Sequence, residues 1–254
     1  MENLKYCSEN LEKYFSQNRI QWDQFYKSER IVLEKLWSES IQNVLDIGCG
    51  CGGLGLALKE RFNLNDYTGI EINENAVKSA KSLNPDANIL EGDFLKMDTT
   101  LLKEKSHDLV FSLSCIDWNL NFTEMLKKAW SMVKPGGYFM ATFRLTTGSG
   151  INDIQKSYQY INYEGHQEGE IANYVVVNSA DLMSKLLSLS INSIIGYGYY
   201  GPPGKTAITP FSKLCFAALA IRKSCIEEEL NIDLQLPPEI ASTMLEITKK
   251  TESI

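Results

Sequence analysis

Val44-Leu45-Asp46-Ile47-Gly48-Cys49-Gly50-Cys51-Gly52-Gly53 carries the clearest architectural signal in the chain. A short apolar run stops at a series of glycines, and a helical pattern over residues 54–62 follows at once. Glycines in that place serve a sharp strand-to-helix turn and a close approach of backbone to ligand. Gly48-x-Gly50-x-x-Gly53 satisfies the dinucleotide fingerprint, and an acid, Glu71, stands 23 residues beyond Gly48. Asp46 argues against a nicotinamide dinucleotide. A carboxylate at the strand end would face the pyrophosphate that such a ligand lays on the helix N-terminus, and like charges in a confined site cost free energy. A ligand without phosphates and with a cationic amino group reverses that argument.

The same alternation continues downstream. Residues 67–71 read as a strand, 75–83 as a helix with Asn73 as its cap, 87–90 as a strand ending at Asp93, and 107–113 as a strand. Residues 122–133 form a helical pattern closed by Lys134-Pro135-Gly136-Gly137, a reverse turn, and 138–143 form the next strand. Strand and helix in alternation predict an α/β fold with a parallel, doubly wound sheet covered on both faces. Residues 180–189 read as a helix, and 193–200 with 214–221 as an antiparallel hairpin at one sheet edge. Upstream, residues 8–37 carry an aromatic-rich helical pattern that suits either packing on the core or a lid. The expected organisation is an N-terminal helical lid over 1–39, a core over 40–223 with a polar insertion at 146–175, and a C-terminal extension over 224–254.

Composition narrows the function. The chain has 254 residues, 44 % hydrophobic and 22 % charged, within the globular range. Its 25 Lys and Arg against 32 Asp and Glu leave a net charge of −7, whereas nucleic-acid binding selects a basic face. A small-molecule substrate is therefore expected, with no nucleic acid and no membrane; a homodimer is compatible with the reading. No apolar run approaches the roughly 20 residues that span a bilayer, and the first residues lack the apolar core of a signal peptide, so a cytoplasmic location is expected. The six cysteines include no CxxC pair, and no metal site is expected.

Asp46, Glu71 in GIEIN and Asp93 in EGDFL each follow a predicted strand, and a parallel sheet sets those strand ends side by side at the ligand-binding edge. With VLDIGCGCGG, YTGIEIN, EGDF, HDLVFSLSCIDW and MVKPGGYF in this order and spacing, the chain resembles the class I S-adenosylmethionine-dependent methyltransferases over about residues 43–144. The resemblance implies a Rossmann-like seven-stranded sheet with an antiparallel last strand. It also implies S-adenosylmethionine as cofactor. Asp46 and the loop of Gly48, Cys49, Gly50 and Gly52 would surround the methionine part, and Glu71 would hold the ribose. Ile72, Asp93 and Phe94 would lie near the adenine, with Ser114 completing the cofactor side.

Acceptor-side residues should follow the fourth, fifth and sixth strands. Asp117 is the candidate general base or orienting carboxylate, and His166 a second candidate base. Trp118, Arg144, Tyr163, Tyr199 and Lys205 are the candidate acceptor-binding residues, Arg144 for an anionic group. The Asn/Asp-Pro-Pro-aromatic tetrad of amino-methylating nucleic-acid enzymes is missing after the fourth strand. The expected reaction is in-line methyl transfer to a hydroxyl or amine of a polar metabolite: a sugar, sugar nucleotide or natural-product intermediate. Protein or RNA methylation, or a silent cofactor-binding interaction module, are the alternatives.

Overall fold

The computed structural model describes residues 12, 14–100, 102, 106–162, 164–225 and 229–251. Helix α1 (Lys27–Leu36) precedes a parallel series: β1 (Asn43–Ile47), α2 (Gly53–Phe62), β2 (Asp66–Glu71), α3 (Glu74–Leu83), β3 (Asn88–Glu91), β4 (His107–Ser112), α4 (Phe122–Ser131) and β5 (Val133–Thr146). The five strands lie in the order β3-β2-β1-β4-β5, all parallel. Every residue of β4 is buried, as a central strand covered on both faces requires. Neighbouring side chains point to opposite faces. Val110 therefore joins a core with Leu126, Leu182 and Met244, while Leu109 and Phe111 join another with Leu33, Leu58 and Val77.

The polar insertion is not structureless. It holds β6 (Tyr158–Tyr160) and β7 (Ile171–Asn173), and the chain continues through β8 (Val177–Asn178), α5 (Ser179–Leu187), β9 (Ile191–Gly201), β10 (Ala207–Ile208) and β11 (Leu214–Lys223). Strands β10, β6 and β7 form a separate antiparallel sheet. The loop Pro202-Pro203-Gly204-Lys205-Thr206 thus leads into a strand that pairs with the insertion, a long-range contact that no local pattern announces. Strand β11 runs antiparallel between β5 and β9, which gives the seven-stranded arrangement with its reversed strand.

The expected edge hairpin is not at the edge. The C-terminal extension adds β12 (Asn231–Gln235) parallel to β9, then α6 (Pro238–Thr251). With β8 joined to β5, the main sheet reaches nine strands among the described residues. Helix α1 also departs from the lid expected of it. Val32, Leu33 and Leu36 are buried in the core against the sheet, each burial stabilising by roughly 1.5–3 kcal/mol. The segment before α1 covers the ligand edge instead. Among the described residues no helix is long and apolar enough to cross a membrane.

Candidate active site

A cavity of about 480 Å³ opens at the carboxyl ends of β1, β2 and β4, where the strand order reverses. Its floor is the glycine loop. The Gly48 and Cys49 amides donate to the Ile70 carbonyl at 2.8 and 3.0 Å, folding the loop back over β2. Gly48, Gly50 and Gly52 have φ of +78°, +53° and +74°, a region that costs an L side chain strain. A Cβ on Gly48 would strike the Cys115 side chain, whereas one on Gly50 would meet nothing within 4 Å. The backbone at Gly50 therefore lies bare to the cavity. Cys49, Cys51 and Cys115 line the same floor, and burial raises the Cys51 and Cys115 thiols to about 12 and Cys49 well above its ordinary value. They are protonated, unreactive walls.

Three acids stand at the carboxyl ends of β1, β2 and β3 and line this cavity. Asp46 is buried and accepts the Tyr67 hydroxyl at 2.6 Å. Burial raises its carboxyl to about 6, against the opposing pull of Tyr67 and of Arg19. The sequence reading missed Tyr67, whose ring passes Gly55 so closely that a Cβ there would sit 2.8 Å from it. Glu71 accepts the amides of Gly50, Ile72 and Asn73, each at 2.9 Å. Burial raises its carboxyl, and those amides restrain the rise. Asp93 accepts the Leu95 amide at 3.0 Å, and Phe94, Ile72 and Ser114 also line the cavity.

Arg19 is the important omission. It is the one cation between Tyr14 and Tyr26, which was its available signal. It lines the cavity, donates to Glu29 at 2.9 Å, and places its guanidinium 4.6 and 5.0 Å from the Phe25 and Tyr26 ring centroids. Burial works against its charge, but Glu29 holds its pKa above the ordinary value. A Cβ on Gly53 would lie 2.1 Å from the Arg19 carbonyl oxygen. The last glycine of the fingerprint thus admits the N-terminal segment.

The acceptor-side candidates separate. Trp118 lines the cavity; Asp117, Arg144, His166, Tyr199 and Lys205 do not. Arg144, expected at the mouth, is buried. It lies 3.3 Å from Asp117, donates to the Asp117 carbonyl at 2.7 Å, and sits 4.4 and 3.8 Å from the Trp118 and Tyr174 ring centroids. A buried guanidinium must find a counter-charge and acceptors, and Asp117 supplies both. Burial raises the Asp117 carboxyl, opposed by Arg144. His166 is exposed beside Glu164 at 3.6 Å, outside the cavity. Lys205 is exposed, and Tyr163 lies outside the described residues. Instead, Gln159 and Tyr160 of β6, with Ile161 and Asn162 just beyond it, form the cavity's outer wall, with Asn119 beside Trp118.

A methyltransferase-domain family model matches residues 44–137, which span the glycine loop and all three acids. A malonyl-[acyl-carrier protein] O-methyltransferase from Marinomonas sp. (strain MWYL1) is 25 % identical over 190 residues, 72 % of this chain and 69 % of that one. A trans-aconitate 2-methyltransferase from Escherichia coli (strain 55989 / EAEC) is 27 % identical over 42 % of this chain and 40 % of its own length. In fold, the chain resembles a Burkholderia thailandensis 1,6-didemethyltoxoflavin-N1-methyltransferase (TM-score 0.52, 14 % identity, 84 % of this chain and 81 % of that one). It also resembles a Haemonchus contortus phosphoethanolamine N-methyltransferase 2 (TM-score 0.57, 15 % identity, 84 % and 56 %). Together these matches support a class I S-adenosylmethionine-dependent methyltransferase, with residues 44–137 carrying the methyltransferase domain. The cofactor of that family is S-adenosylmethionine. The bare backbone over Gly50 and the facing pair of Asp46 and Arg19 fit that group, a zwitterionic amino acid at one end and a nucleoside at the other.

Proposed function

We propose that this methyltransferase acts on a small molecule through a carboxylate oxygen, rather than through the hydroxyl or amine expected from the sequence. The observation that carries the reading is the chemistry of the outer cavity wall. Trp118, Asn119, Gln159, Tyr160 and Asn162 offer indole, amide and phenol groups. Among the described residues, the carboxylates that line the cavity are Glu12, Asp46, Glu71 and Asp93, none of them from these two segments, and no imidazole lines it. Asp117 is engaged by Arg144, and His166 is outside.

A hydroxyl must lose a proton to become nucleophilic, and an amine of pKa ~10 is mostly protonated at neutral pH. A carboxylate of pKa ~4 is ionised without help from the protein. The relatives named for malonyl-[acyl-carrier protein] and trans-aconitate methylation support the same acceptor chemistry.

S-adenosylmethionine, when bound, supplies an electrophilic methyl group on a positively charged sulfur. Asp46 takes the ammonium of its amino-acid end, and Arg19 takes the carboxylate. Glu71 receives the ribose hydroxyls, and its three backbone donors favour its ionised form against the effect of burial. Ile72, Asp93 and Phe94 receive the adenine, while Gly48, Cys49, Gly50, Gly52 and Ser114 shape the floor. Trp118 and the small-sheet wall orient the acceptor and exclude water, which is where much of the rate enhancement originates when the leaving group is already good.

The test is an acceptor screen with S-adenosylmethionine labelled in its methyl group. Short di- and tricarboxylates are run beside the matching amides, amines and alcohols. Label should enter the carboxylates and return as volatile methanol after mild base. Base-stable label in an amine or alcohol would overturn the proposal.

A further inference from the structure

Among the described residues, five large hydrophobic side chains are exposed, and four of them gather at one place. Tyr14, Phe15 and Tyr26 line the cavity from the N-terminal segment. Tyr26 is 54 % exposed at the start of α1, and Tyr199 is 39 % exposed near the end of β9. Topology brings the two together. Strand β9 runs antiparallel to β11, which runs antiparallel to β5, so the last residues of β9 reach the same sheet edge as the cavity. Helix α1 packs on β9. The Tyr26 phenol and the Glu29 carboxyl, both from this helix start, are close enough to help raise the Tyr199 phenol, after its own burial. Tyr199 continues outward onto Phe216, with ring centroids 6.3 Å apart. An aromatic stripe thus runs from inside the cavity, over its lip, and onto the sheet.

Isolated exposed aromatics are ordinary, but a contiguous rim joined to a cavity marks a binding surface. Its charge identifies what lies on it. Arg19 is 5.0 Å from the Tyr26 ring centroid, and Lys27 is 5.8 Å from the Tyr197 ring centroid. One cation already occupies the Tyr26 face and another stands beside the stripe over Tyr197, so a further cation is disfavoured there. No carboxylate of the occupant is needed there either, because the rim offers rings.

We infer that this stripe is an acceptor subsite. It takes the uncharged aryl or alkyl body of an acceptor whose nucleophilic head enters the cavity. The inference rests on the proposed methyltransferase site and adds a preference that the site alone does not give: an amphiphilic acceptor over a compact polar one. Tyr199, outside the cavity, then sets specificity through the acceptor's body.

The test is calorimetric binding to the protein saturated with S-adenosylhomocysteine. Acetate is compared with 4-phenylbutyrate, and ethylamine with 4-phenylbutylamine. The phenyl-bearing probe should bind at least tenfold more tightly within a series. Tyr199→Ala should shrink that ratio about fivefold, and Tyr199→Leu should restore much of it for the alkyl analogue hexanoate. Equal binding of short and long probes in both series, or an unchanged ratio in Tyr199→Ala, overturns the subsite. A ratio present only among the amines supports the subsite and overturns the carboxylate head. Absence of S-adenosylhomocysteine binding overturns the cofactor assignment, which is a separate failure. Self-association in sedimentation that Tyr199→Ala abolishes would assign the stripe to a copy of this chain and overturn the inference.

Discussion

The two halves of the cavity are built differently. The half we assign to the cofactor comes from consecutive βα turns, with Asp46, Glu71 and Asp93 each within a few residues of a strand end. The outer half comes from the turn after β4 and a small sheet joining residues 158–173 to residues 207–208, while the segment before α1 borders both halves. In the first half, polar side chains meet backbone donors and the ligand space. Behind the second, Asp117 and Arg144 lie outside the cavity and meet each other. Charged residues beside a site thus serve either chemistry or architecture, and burial against a counter-charge separates the two roles.

Breaking the architectural pair should have the largest effect. Arg144→Ala leaves Asp117 buried without its counter-charge, and removal of one partner from such a pair costs about 3–5 kcal/mol. Denaturant unfolding should show that loss, while the folded fraction keeps its affinity for S-adenosylhomocysteine. Normal stability with lost turnover would place Arg144 in the chemistry and erase the contrast.

In the cofactor half, Gly50→Val combines a strained φ of +53° with a side chain directed into the ligand space. S-adenosylhomocysteine affinity should fall by about 100-fold, on the order of 2.7 kcal/mol, with little change in the melting temperature beyond the backbone strain.

The smallest effect is a titration. The Asp46 carboxyl is raised to about 6 in the free protein, so it is protonated below that value. An ammonium prefers the ionised form, and affinity for S-adenosylhomocysteine should fall by about tenfold between pH 7.5 and pH 5. Asp46→Asn should remove the dependence. Stability moves the opposite way: the folded state holds this proton more tightly than the unfolded chain, so Asp46's contribution favours folding below its ordinary pKa and is lost as pH rises toward about 6.

The cofactor half was legible because its information is local. A strand, a glycine turn and an acid lie within ten residues of one another, and parallel pairing sets the three turns on one edge whatever the surface does. Arg19 was visible as the lone cation of an aromatic segment, but its meaning depends on Gly53 and Glu29. Asp117 and Arg144 were singled out by position alone, and position does not report direction. Tertiary contacts turned them inward, because two aromatic faces and a carboxylate offered the guanidinium a site that water and ligand did not.

Periodicity and turn chemistry over short spans specify the doubly wound sheet, the antiparallel pairing of β9 with β11, and the three acids at the strand ends. Only the tertiary structure decided that α1 belongs to the core, that the C-terminal extension adds a strand, and that the acceptor wall is a small sheet of distant segments. Those features rest on contacts between residues far apart in the chain, whose pairing energy no local pattern encodes.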